Sequence, residues 1–477
     1  MFFYVKEKYS KRRILSLFET PLKKWFEKTF KNFTLPQKLA IPQIHKKRNV
    51  LITAPTGSGK TLACFSVILN ELIKLSHKNK LEDKVYCIYV SPLRALDRDI
   101  YWNLLVPLEE VVKIAEKMKY KLHNQIRINL RTGDTTPYQK QLQLKKPPHI
   151  LITTPETMGI ILGTRKFKER IKSVKWVIVD EIHELADSKR GVHLSLSMER
   201  LEHFVGKRIV RIGAGATLEP LEEAAKFLVG YKNGKPRNCW IIDARFLKPM
   251  DIRVMVPVKD LIYTDTKTIN HKMYELLDNL ISKHTTTLVF TNTRSGAERV
   301  NFHLRQMFPT KYLDETTGVH HSSISREIRH GVEEDLKKGR LKACISSTSL
   351  ELGIDIGYID LVIQIGSPKS VSRLTQRIGR AGHKLHEVSK GRVICLDRDD
   401  LVECLVMVKK CYDYWLDKFH MPRNCLDVLA QHILGMAIEK KWSVREAFNL
   451  VRSAYPFKDL SFTTFKTVLE YLAGHYH

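Results

Sequence analysis

The sequence predicts an α/β protein with two tandem, doubly wound parallel-sheet domains followed by a small helical domain. Two series of short apolar runs, each followed by turn residues and a helical pattern, indicate repeated β–α–β units. The runs are apolar throughout rather than alternating, which is typical of strands buried on both faces of a parallel sheet. With 477 residues, 43% of them hydrophobic, the chain is long enough to form several packed cores.

The two series of runs define two predicted domains. In residues 1–250 the runs are NVLIT (49–53), VYCIYV (85–90), HILIT (149–153), WVIVD (176–180) and RIVRIG (208–213). In residues 251–415 they are TLVFT (287–291), KACIS (342–346), LVIQIG (361–366) and RVICL (392–396). A Pro- and Lys-rich stretch, KNGKPRNCW and then FLKPMDIRVMVPVKD, places the boundary near residues 245–265.

Residues 416–477 change in character and predict helices. Helical spacing runs from Leu426 to Ile438, and Ser443 with Glu446 matches a capping box that begins the next helix. A last apolar face ends at Gly474 and contains Phe462, Phe465, Val468, Leu469 and Leu472. The pattern fits a winged-helix module, and it equally fits a plain helical bundle packed on the second domain.

The charge of the chain points to an anionic partner. A formal net charge of +29 attracts polyanions, of which nucleic acid is the first candidate and an anionic membrane surface the second. No apolar stretch approaches the roughly 18 residues that span a bilayer. The start MFFYVKEKYSKRR has its apolar residues before its basic ones, the reverse of a signal peptide, so we expect a soluble intracellular protein.

The cysteines give no sign of a metal site. The eight of them are scattered, without a Cys-x-x-Cys pair or zinc-finger spacing to a histidine. Several lie inside apolar runs, so we expect buried free thiols in a reducing compartment. This argues against an iron–sulfur cluster.

The most specific motif follows the run NVLIT and leads into an apolar helix. It is a phosphate-binding loop of Ala54, Pro55, Thr56, Gly57, Ser58, Gly59, Lys60 and Thr61, with Ala54 where the common pattern has glycine. Its glycines let backbone N–H groups surround a β-phosphate at the helix N-terminus. Lys60 is expected to reach the β- and γ-phosphates of ATP, and Thr61 to coordinate Mg²⁺.

A second motif, DEIH, ends the run WVIVD. Its carboxylates therefore leave the sheet at the same edge as the phosphate loop. Asp180 is expected to hold Mg²⁺, and Glu181 to accept a proton from the attacking water. Alone, the tetrapeptide is a weak signal, but joined to a phosphate loop it predicts an ATP hydrolase.

A third motif, QRIGRAGH at 376–383, lies in the second predicted domain. Arg377 and Arg380 are one helical turn apart and face the same way. Such a pair can clamp a γ-phosphate held by the other domain, as arginine fingers do. The alternative is a basic helix on the surface.

In chain order the motifs are APTGSGKT (54–61), SPLRAL (91–96), TTPE (153–156), DEIH (180–183), GAT (215–217), VFTNTR (289–294), STSLELGIDIG (347–357) and QRIGRAGH. This set resembles superfamily 2 helicases of the DEAD/DEAH-box-like kind. Within them, DEIHELADSKRGVHLSLSMERL (180–201), HHSSISREIR (320–329) and the tail from LDVLAQHILGMAI onward resemble the Lhr (large helicase-related) family. The likeness runs from about residue 33 to the end.

The resemblance implies two RecA-like lobes followed by a winged helix, with 3′-to-5′ movement on single-stranded nucleic acid. It implies that Gln37 recognises adenine and that Asp355, after Gly353, approaches the ribose. It also implies that His183 and Thr217 link the ATP site to the strand.

Further residues are assigned by the same resemblance. The ATP site would be completed from the second lobe by Gln376, Arg377 and Arg380. The nucleic-acid backbone would be touched, without sequence readout, by Pro92, Arg94, Thr154, Thr291, Asn292, Arg294, Thr348 and Ser349.

The sequence departs from the family pattern in two places. Gly215 stands where many helicases have serine, so coupling would rest more on Thr217. Lhr cores usually continue through further domains, so we interpret the chain, which ends at LAGHYH, as a shortened protein or a fragment. In the tail, Trp442 beside Lys440 and Lys441 is open to a stacking or wedging role. We favour a core position for it.

The resemblance therefore implies an ATP- and Mg²⁺-dependent 3′-to-5′ helicase that acts on DNA or RNA–DNA duplexes in repair or recombination. An RNA-remodelling helicase, and a nucleic-acid clamp or annealing factor whose ATPase times release, are the alternatives. We expect a monomer in the cytoplasm, associated with the nucleoid through single-stranded DNA or RNA and not with a membrane.

Overall fold

The structure is a computed structural model that describes residues 1–92, 94–246, 248–351, 357–382 and 387–475, without the side chains of 94–99 and 326. The chain forms two compact units. The first unit comprises 1–54, 59–244 and 418–477, and the second comprises 55–58 and 245–417. The units thus divide at 244/245 and 417/418, whereas the boundaries at 250/251 and 415/416 stay predictions.

The first unit is built on one parallel sheet with the strand order β1-β10-β2-β7-β6-β3-β5-β4. A short antiparallel pair, β8 and β9, lies outside this sheet. Up to residue 244 the elements are β1 (Phe2–Tyr4), α1 (Lys11–Leu15), α2 (Thr20–Thr29), α3 (Leu35–His45), β2 (Val50–Thr53), α4 (Lys60–His77), β3 (Cys87–Val90), α5 (Arg94–Lys117), β4 (Ile128–Arg131), α6 (Pro137–Lys145), β5 (Ile150–Thr153), α7 (Pro155–Gly163), α8 (Arg165–Lys168), β6 (Trp176–Val179), α9 (His183–Ala186), α10 (Lys189–Val205), β7 (Val210–Gly215), α11 (Leu221–Val229), β8 (Tyr231–Lys232), β9 (Lys235–Pro236) and β10 (Cys239–Asp243).

The second unit has its own parallel sheet with the order β11-β16-β15-β12-β14-β13. Its elements are β11 (Met250–Met255), α12 (Thr266–Ser282), β12 (Thr287–Phe290), α13 (Arg294–Met307), β13 (Thr317–His320), α14 (Arg326–Lys337), β14 (Ala343–Ser346), β15 (Leu361–Ile365), α15 (Val371–Ile378), β16 (Ser389–Ile394) and α16 (Arg398–Tyr412). The rest of the chain adds α17 (Leu426–Glu439), α18 (Val444–Ser453) and α19 (Phe462–Leu472).

The predicted fold class is confirmed, and each predicted run overlaps a strand. Strand β2 is buried along its whole length, as are β3, β5, β6, β12 and β14. This full burial explains why the runs are apolar on both faces. Seven strands of the described ranges were not predicted. Strands β8, β9, β10 and β11 lie in or beside the Pro- and Lys-rich stretch taken as a linker, and β1, β4 and β13 have three or four residues, several of them polar or only partly buried.

The C-terminal helices pack against the first unit, so packing on the second domain, one of the two alternatives for this segment, is wrong. Leu429, Phe448 and Phe465 belong to the same buried apolar cluster as Leu196 and Phe227 of the first lobe. Ser443 accepts from the Glu446 N–H at 3.1 Å, but the Glu446 carboxylate bonds to the Lys440 amine at 2.9 Å, so the structure shows the serine half of the predicted capping box. Helix α19 ends before a left-handed glycine at 474, as predicted. An apolar helix face predicts burial, but it does not specify the partner.

Trp442 lies at the edge of this cluster. Its indole nitrogen donates to the Met436 carbonyl at 3.0 Å, and its ring lies 4.0 Å from the Lys440 amine and 4.9 Å from the His203 ring. The side chain is half-buried and packs on the cluster, which agrees with the favoured core interpretation.

A buried polar cluster joins α17 to α10. His432, which is 1% exposed, lies 2.8 Å through Nε2 from Nδ1 of His193 and 3.0 Å through Nδ1 from the Arg200 guanidinium. Because arginine can only donate, the Nδ1 of His432 must accept and its Nε2 must donate to His193. Arg200 also pairs with Glu439, which lies 3.1 Å from the Lys168 amine. Both imidazoles are therefore neutral in this arrangement.

This cluster predicts that the first unit loses stability in mild acid. Burial, with His193 and Arg200 adding to it, holds the pKa of His432 well below its ordinary value, and burial also lowers the pKa of His193. The unfolded chain therefore binds protons first, so the contribution is complete above about pH 6.5 and falls below it. Each histidine removes up to about 1.4 kcal/mol per pH unit. His432→Gln, which accepts from Arg200 but cannot titrate, should flatten the dependence of the thermal unfolding midpoint between pH 7.5 and 5.5. An unchanged pH dependence in this variant contradicts the prediction.

The prediction of buried free thiols is confirmed for seven of the eight cysteines, and the reducing compartment stays a prediction. All eight cysteines are free thiols, and Cys425 is the one that is partly exposed. Within the described ranges, none of the helices combines the length and apolar character needed to cross a bilayer. Nor do His, Cys, Asp and Glu side chains of these ranges form a cluster of three or more able to hold a metal ion.

Candidate ATP site and nucleic-acid contacts

The phosphate-binding loop is residues 54–59, between β2 and α4. Gly57 and Gly59 have φ angles of 73° and 81°, in the left-handed region that favours glycine. A Cβ at Gly59 would also lie 2.4 Å from the Gln37 amide nitrogen, so both conformation and space require glycine there. Lys60 is the first residue of α4 and is 7% exposed. Its amine donates to the Ala54 carbonyl at 2.5 Å and so lies across the loop.

Gln37 is buried against this loop. Its amide nitrogen donates to the Gly59 carbonyl at 3.4 Å, and its amide oxygen accepts from the Thr34 N–H at 3.0 Å. Thr34 and Gln37 form the capping box that begins α3. The structure therefore brings Gln37 to the ATP loop, and its contact with adenine stays a prediction.

Asp180 directly follows β6 and is held by Tyr89 of the neighbouring strand β3. The Tyr89 hydroxyl donates to one carboxylate oxygen, and the other oxygen accepts from the Glu181 N–H at 2.9 Å. Burial, with the Glu181 carboxylate adding to it, raises the pKa of Asp180 to about 6, while the Tyr89 hydrogen bond and Lys60 oppose the rise. Tyr89 also bonds to Thr61, and burial raises its own pKa well above the ordinary value. Asp180, Thr61 and Lys60 thus share one electrostatic environment.

Glu181 has a strained backbone and a carboxylate oxygen available to a ligand. Its φ of 43° lies in the left-handed region, which is uncommon for a residue with a side chain and is often associated with function. Its Oε2 is buried and accepts no hydrogen bond among the described residues, and it lies 3.5 Å from Nδ1 of His183. A buried carboxylate oxygen in this position can accept a proton from water.

The GAT motif (215–217) and the residue before it contact the phosphate loop and the DEIH motif through the backbone. The Gly215 carbonyl accepts from the Ala54 N–H at 3.0 Å, and the Ala214 carbonyl accepts from the Ile182 N–H at 2.9 Å. A Cβ at Gly215 would lie 3.2 Å from the His183 ring and 3.1 Å from Ile182, which is tighter than usual. This close packing gives a physical reason for glycine where many helicases have serine. Thr217, just beyond β7, is half-buried.

The residues fit a hard divalent cation such as Mg²⁺. Asp180 offers a carboxylate that is ionised at neutral pH, and Thr61 offers a hydroxyl connected to it through Tyr89. Oxygen ligands from one carboxylate and one hydroxyl, with the rest from water and phosphate, are what Mg²⁺ prefers. Asp180 and Thr61 are therefore the residues that would hold the ion.

Tyr89→Phe should raise the Mg²⁺ concentration needed for half-maximal ATP hydrolysis by about tenfold, because the Tyr89 hydroxyl orients Asp180 and Thr61, the residues that would hold the ion. Loss of the hydroxyl also removes a bond that lowers the pKa of Asp180, so the acid limb of the pH–rate profile should move to higher pH. Tyr86→Phe, a buried tyrosine whose hydroxyl accepts from the Glu82 N–H, is the matched control. A lower Mg²⁺ requirement in Tyr89→Phe would mean that the hydroxyl competes with the metal.

The predicted nucleic-acid residues of the first lobe are linked by Arg190 of α10. Its guanidinium donates to the Pro92 carbonyl at 2.6 Å and to the Glu156 carboxylate at 2.5 Å. Thr154 caps the N-terminus of α7 and accepts from the Thr157 N–H at 3.4 Å. Pro92 and Thr154 thus lie on segments that Arg190 holds together. Arg94 begins α5, and its side chain lies outside the described part.

In the second unit, predicted nucleic-acid residues cluster where β12 ends. Thr291 donates to the Thr293 carbonyl at 2.9 Å, and Asn292 donates to the Ser367 carbonyl at 2.8 Å. Arg294, at the start of α13, donates to the Ser323 hydroxyl at 2.7 Å. Thr348 is exposed and Ser349 is half-buried in the loop after β14. The parallel strands β12 and β14 are neighbours, so these residues occupy one sheet edge.

The arginines of the third sequence motif converge on Glu351. Arg377 is 1% exposed and donates to the Glu351 carboxylate at 2.9 and 3.1 Å and to the Gln364 amide oxygen at 2.6 Å. Arg380, half-buried, donates to the Glu351 carbonyl at 3.0 and 3.3 Å. The two side chains do face the same residue, but Arg377 is enclosed and Arg380 is partly open.

Lys248 fixes the loop that follows α15. Its amine donates to the carbonyls of Ala381 at 2.6 Å, Gly382 at 2.8 Å and Gly379 at 3.2 Å. Burial lowers the pKa of Lys248 to about 8, with Arg380 contributing and Glu387 opposing. A cation on three carbonyls sets the backbone from which Arg380 projects.

The remaining predicted residues of the second unit are only partly described by the structure. Gln376 lies on α15 and is half-buried. Gly353, Asp355 and His383 lie outside the described residues. The roles of all these side chains stay predictions.

Family models match three parts of the chain. They are the DEAD/DEAH box helicase domain at 34–224, the helicase conserved C-terminal domain at 270–384, and the winged helix domain of large helicase-related proteins at 409–477. The last of these is specific to one kind of helicase. The chain belongs to the Lhr family.

Curated relatives of this Lhr chain agree with the family. It is 56% identical over 474 residues to the ATP-dependent helicase Lhr-Core protein 2 of Thermococcus barophilus, covering 99% of this chain and 54% of the relative. It is also 56% identical over 471 residues to the ATP-dependent helicase Lhr-Core of Methanocaldococcus jannaschii, with the same coverage of 99% and 54%. The chain thus spans about half the length of these relatives.

Solved structures share the fold. The Mycobacterium smegmatis helicase Lhr bound to ssDNA and AMP-PNP has a TM-score of 0.85 at 37% identity, covering 96% of this Lhr chain and 58% of that one. The DEAD-box helicase Mss116, bound to ssRNA and UDP-BeF, has a TM-score of 0.70 at 17% identity, covering 99% and 93%. Both lobes are therefore RecA-like domains of superfamily 2 helicases, and the C-terminal helices form the Lhr winged-helix domain.

Sequence reasoning missed several residues of the Lhr site. Tyr89 was interpreted as one more apolar strand residue, although the hydroxyl of a tyrosine in a fully buried strand needs a hydrogen-bond partner. Arg190 and Glu351 were inside quoted motifs without an assigned role. Lys248 was in the stretch taken as a linker. Each makes contacts with residues far away in sequence.

Proposed function

We propose that this Lhr chain is an ATP-dependent translocase that moves 3′ to 5′ on single-stranded nucleic acid and separates DNA or RNA–DNA duplexes. The observation that supports it best is the grouping of Lys60, the Tyr89-held Asp180 and the available Glu181 oxygen at one sheet edge. The net charge of +29 supports a polyanionic track. The relative from M. smegmatis was solved with ssDNA, which favours DNA as the first substrate to test.

The proposed chemistry is positioning and charge neutralisation. Lys60 and the loop N–H groups hold the β- and γ-phosphates of ATP, and Asp180 with Thr61 holds Mg²⁺, which would neutralise charge on the phosphates. Glu181 takes the proton of the attacking water. Arg380 stabilises the negative charge on the transferred phosphoryl group.

Movement would follow from the cycle of ATP binding and hydrolysis. Hydroxyls and backbone amides around Thr154, Thr291 and Ser349 bind phosphates without reading bases. We infer that His183 and Thr217 couple the ATP site to the strand. The His183 ring packs closely on Gly215, two residues before Thr217, so a change at the γ-phosphate has a short route to the GAT motif. We infer a role in DNA repair or recombination from the duplexes that such a motor would open.

The test is strand displacement on 3′-tailed and 5′-tailed DNA–DNA, RNA–DNA and RNA–RNA duplexes, side by side with ATP hydrolysis. We expect displacement of 3′-tailed DNA–DNA and RNA–DNA duplexes that requires ATP. Glu181→Gln should bind ATP and nucleic acid but displace no strand. Displacement of RNA–RNA duplexes alone would favour RNA remodelling. Stimulated hydrolysis without displacement would favour a clamp, and hydrolysis that ignores nucleic acid would contradict the proposal.

A further inference from the structure

The hydroxyl of Ser349 is held by a buried imidazole that the proposed mechanism does not use. His320, the last residue of β13, is 2% exposed. Its Nδ1 lies 2.6 Å from the Ser349 Oγ, and its Nε2 lies 3.0 Å from the carboxylate of Glu333 on α14. A carboxylate–imidazole–hydroxyl chain therefore ends at a residue proposed to touch the nucleic-acid backbone.

The partners determine where the protons lie. An ionised Glu333 only accepts, so the Nε2 of His320 carries a proton. In a neutral imidazole the Nδ1 then has none, and the Ser349 hydroxyl must donate to it. A hydroxyl has one proton, so in this state Ser349 cannot also donate to a phosphate oxygen.

A second proton on His320 reverses the bond to Ser349. Both ring nitrogens then donate, Nε2 to Glu333 and Nδ1 to the Ser349 oxygen. The hydroxyl proton becomes free to turn toward a phosphate. Its alternative acceptors are the His320 carbonyl, 2.9 Å from Oγ, and the Ser346 hydroxyl at 3.3 Å. The extra positive charge also lies one hydrogen bond from the bound anion.

We propose that nucleic-acid binding at Ser349 is coupled to proton uptake by His320, which acts as a positioning residue for that phosphate contact. The inference rests on the proposed nucleic-acid function. It adds a prediction that a plain phosphate contact does not make: the affinity for the strand rises as the pH falls.

The surroundings of His320 leave Glu333 as its charged partner among the described side chains that contact it. The neighbouring His321 is bound to Glu298 of α13 at 2.8 Å, so that carboxylate serves another ring. Strand β14 contributes Cys344 near Glu333, and burial raises the pKa of this thiol, which stays neutral. His321 therefore offers a matched control, a buried histidine with a carboxylate partner next in sequence.

The experiment measures the Kd of a labelled oligo-dT strand from pH 5.5 to 8.5 at fixed ionic strength. Calorimetric titration in two buffers of different ionisation enthalpy gives the protons taken up on binding. For the unsubstituted chain we expect Kd to increase by up to about tenfold for each unit by which the pH rises, the limit for one linked proton. His320→Asn should lose this slope and the matching uptake, because the amide cannot titrate.

Two further variants complete the design. His321→Asn should keep the slope and the uptake. Ser349→Ala should lose both the slope and the uptake, because the link between phosphate and imidazole is gone. If thermal unfolding shows that His320→Asn does not fold, Ser349→Ala alone tests the coupling of binding to proton uptake. Equal slopes in His320→Asn, Ser349→Ala and the unsubstituted chain would overturn the proposal while leaving the helicase proposal intact. Failure of the unsubstituted chain to bind the strand at any pH would overturn both.

Discussion

Lys60→Ala should reduce the kcat of ATP hydrolysis by at least about 10²- to 10³-fold, the cost of removing one preorganised donor from a developing charge. The lysine amine already lies across the loop, bonded to the Ala54 carbonyl at 2.5 Å, so little reorganisation is needed for it to reach a phosphate. The lysine also lowers the pKa of Asp180, so its loss raises that pKa and leaves a smaller fraction of Asp180 ionised to hold Mg²⁺. Steady-state ATPase assays with saturating nucleic acid measure the effect.

The binding of single-stranded nucleic acid should survive this substitution. The residues proposed for backbone contact, such as Pro92 and Thr154, are held by Arg190 and not by Lys60. Lys74→Ala is the matched control, since Lys74 lies on the same helix α4 but is exposed. Normal hydrolysis in Lys60→Ala, with unchanged thermal stability, would show that the phosphate site has been assigned to the wrong loop.

The sequence was sufficient for the parts of the fold that have a local pattern. Every predicted run overlaps a strand because burial on both sheet faces leaves an apolar signature in the chain. The phosphate loop was predictable for a similar reason, since the left-handed angles of Gly57 and Gly59 demand glycine. The start of α18 and the end of α19 follow from Ser443 and Gly474, which act within one helical turn.

What the sequence did not predict depends on contacts without local pattern. Strand β1 pairs Phe2 with Cys239, which is far away in the sequence, so no local pattern predicts the strand. The C-terminal helices pack on the first unit because its apolar surface is complementary in shape to theirs, and a helix sequence does not show that complementarity. Tyr89 acts on Asp180 because β3 and β6 are neighbours in the sheet, with Tyr89 opposite Ile178. Register, and not residue type, sets that contact.

The arginine pair shows the same limit, because two residues with one predicted role have different surroundings. Arg377 is enclosed by Glu351 and Gln364, both buried. Arg380 bonds to a backbone carbonyl and is partly open. A group that must reach a ligand needs an open path. We therefore propose Arg380 as the phosphate-binding arginine and Arg377 as the residue that positions it through Glu351.

Arg377→Ala should therefore destabilise the second unit by about 3–5 kcal/mol, because it leaves the Glu351 carboxylate buried without its cation. Arg377→Lys should not restore stability, since an ammonium cannot reach Glu351 and Gln364 together as the guanidinium does. Arg380→Ala should change stability by only about 1 kcal/mol, yet lower the kcat of ATP hydrolysis by about 10³-fold.

Denaturant unfolding and ATPase kinetics on the same preparations separate the two roles. Arg373→Ala is the control, an arginine on the same helix whose guanidinium lies 3.9 Å from Glu351 and whose side chain is 56% exposed. It should leave both measurements nearly unchanged, because exposed pairs contribute little. If Arg377→Ala keeps full stability and loses only turnover, the buried arginine itself reaches the phosphate, and its bonds to Glu351 must break in every cycle of hydrolysis.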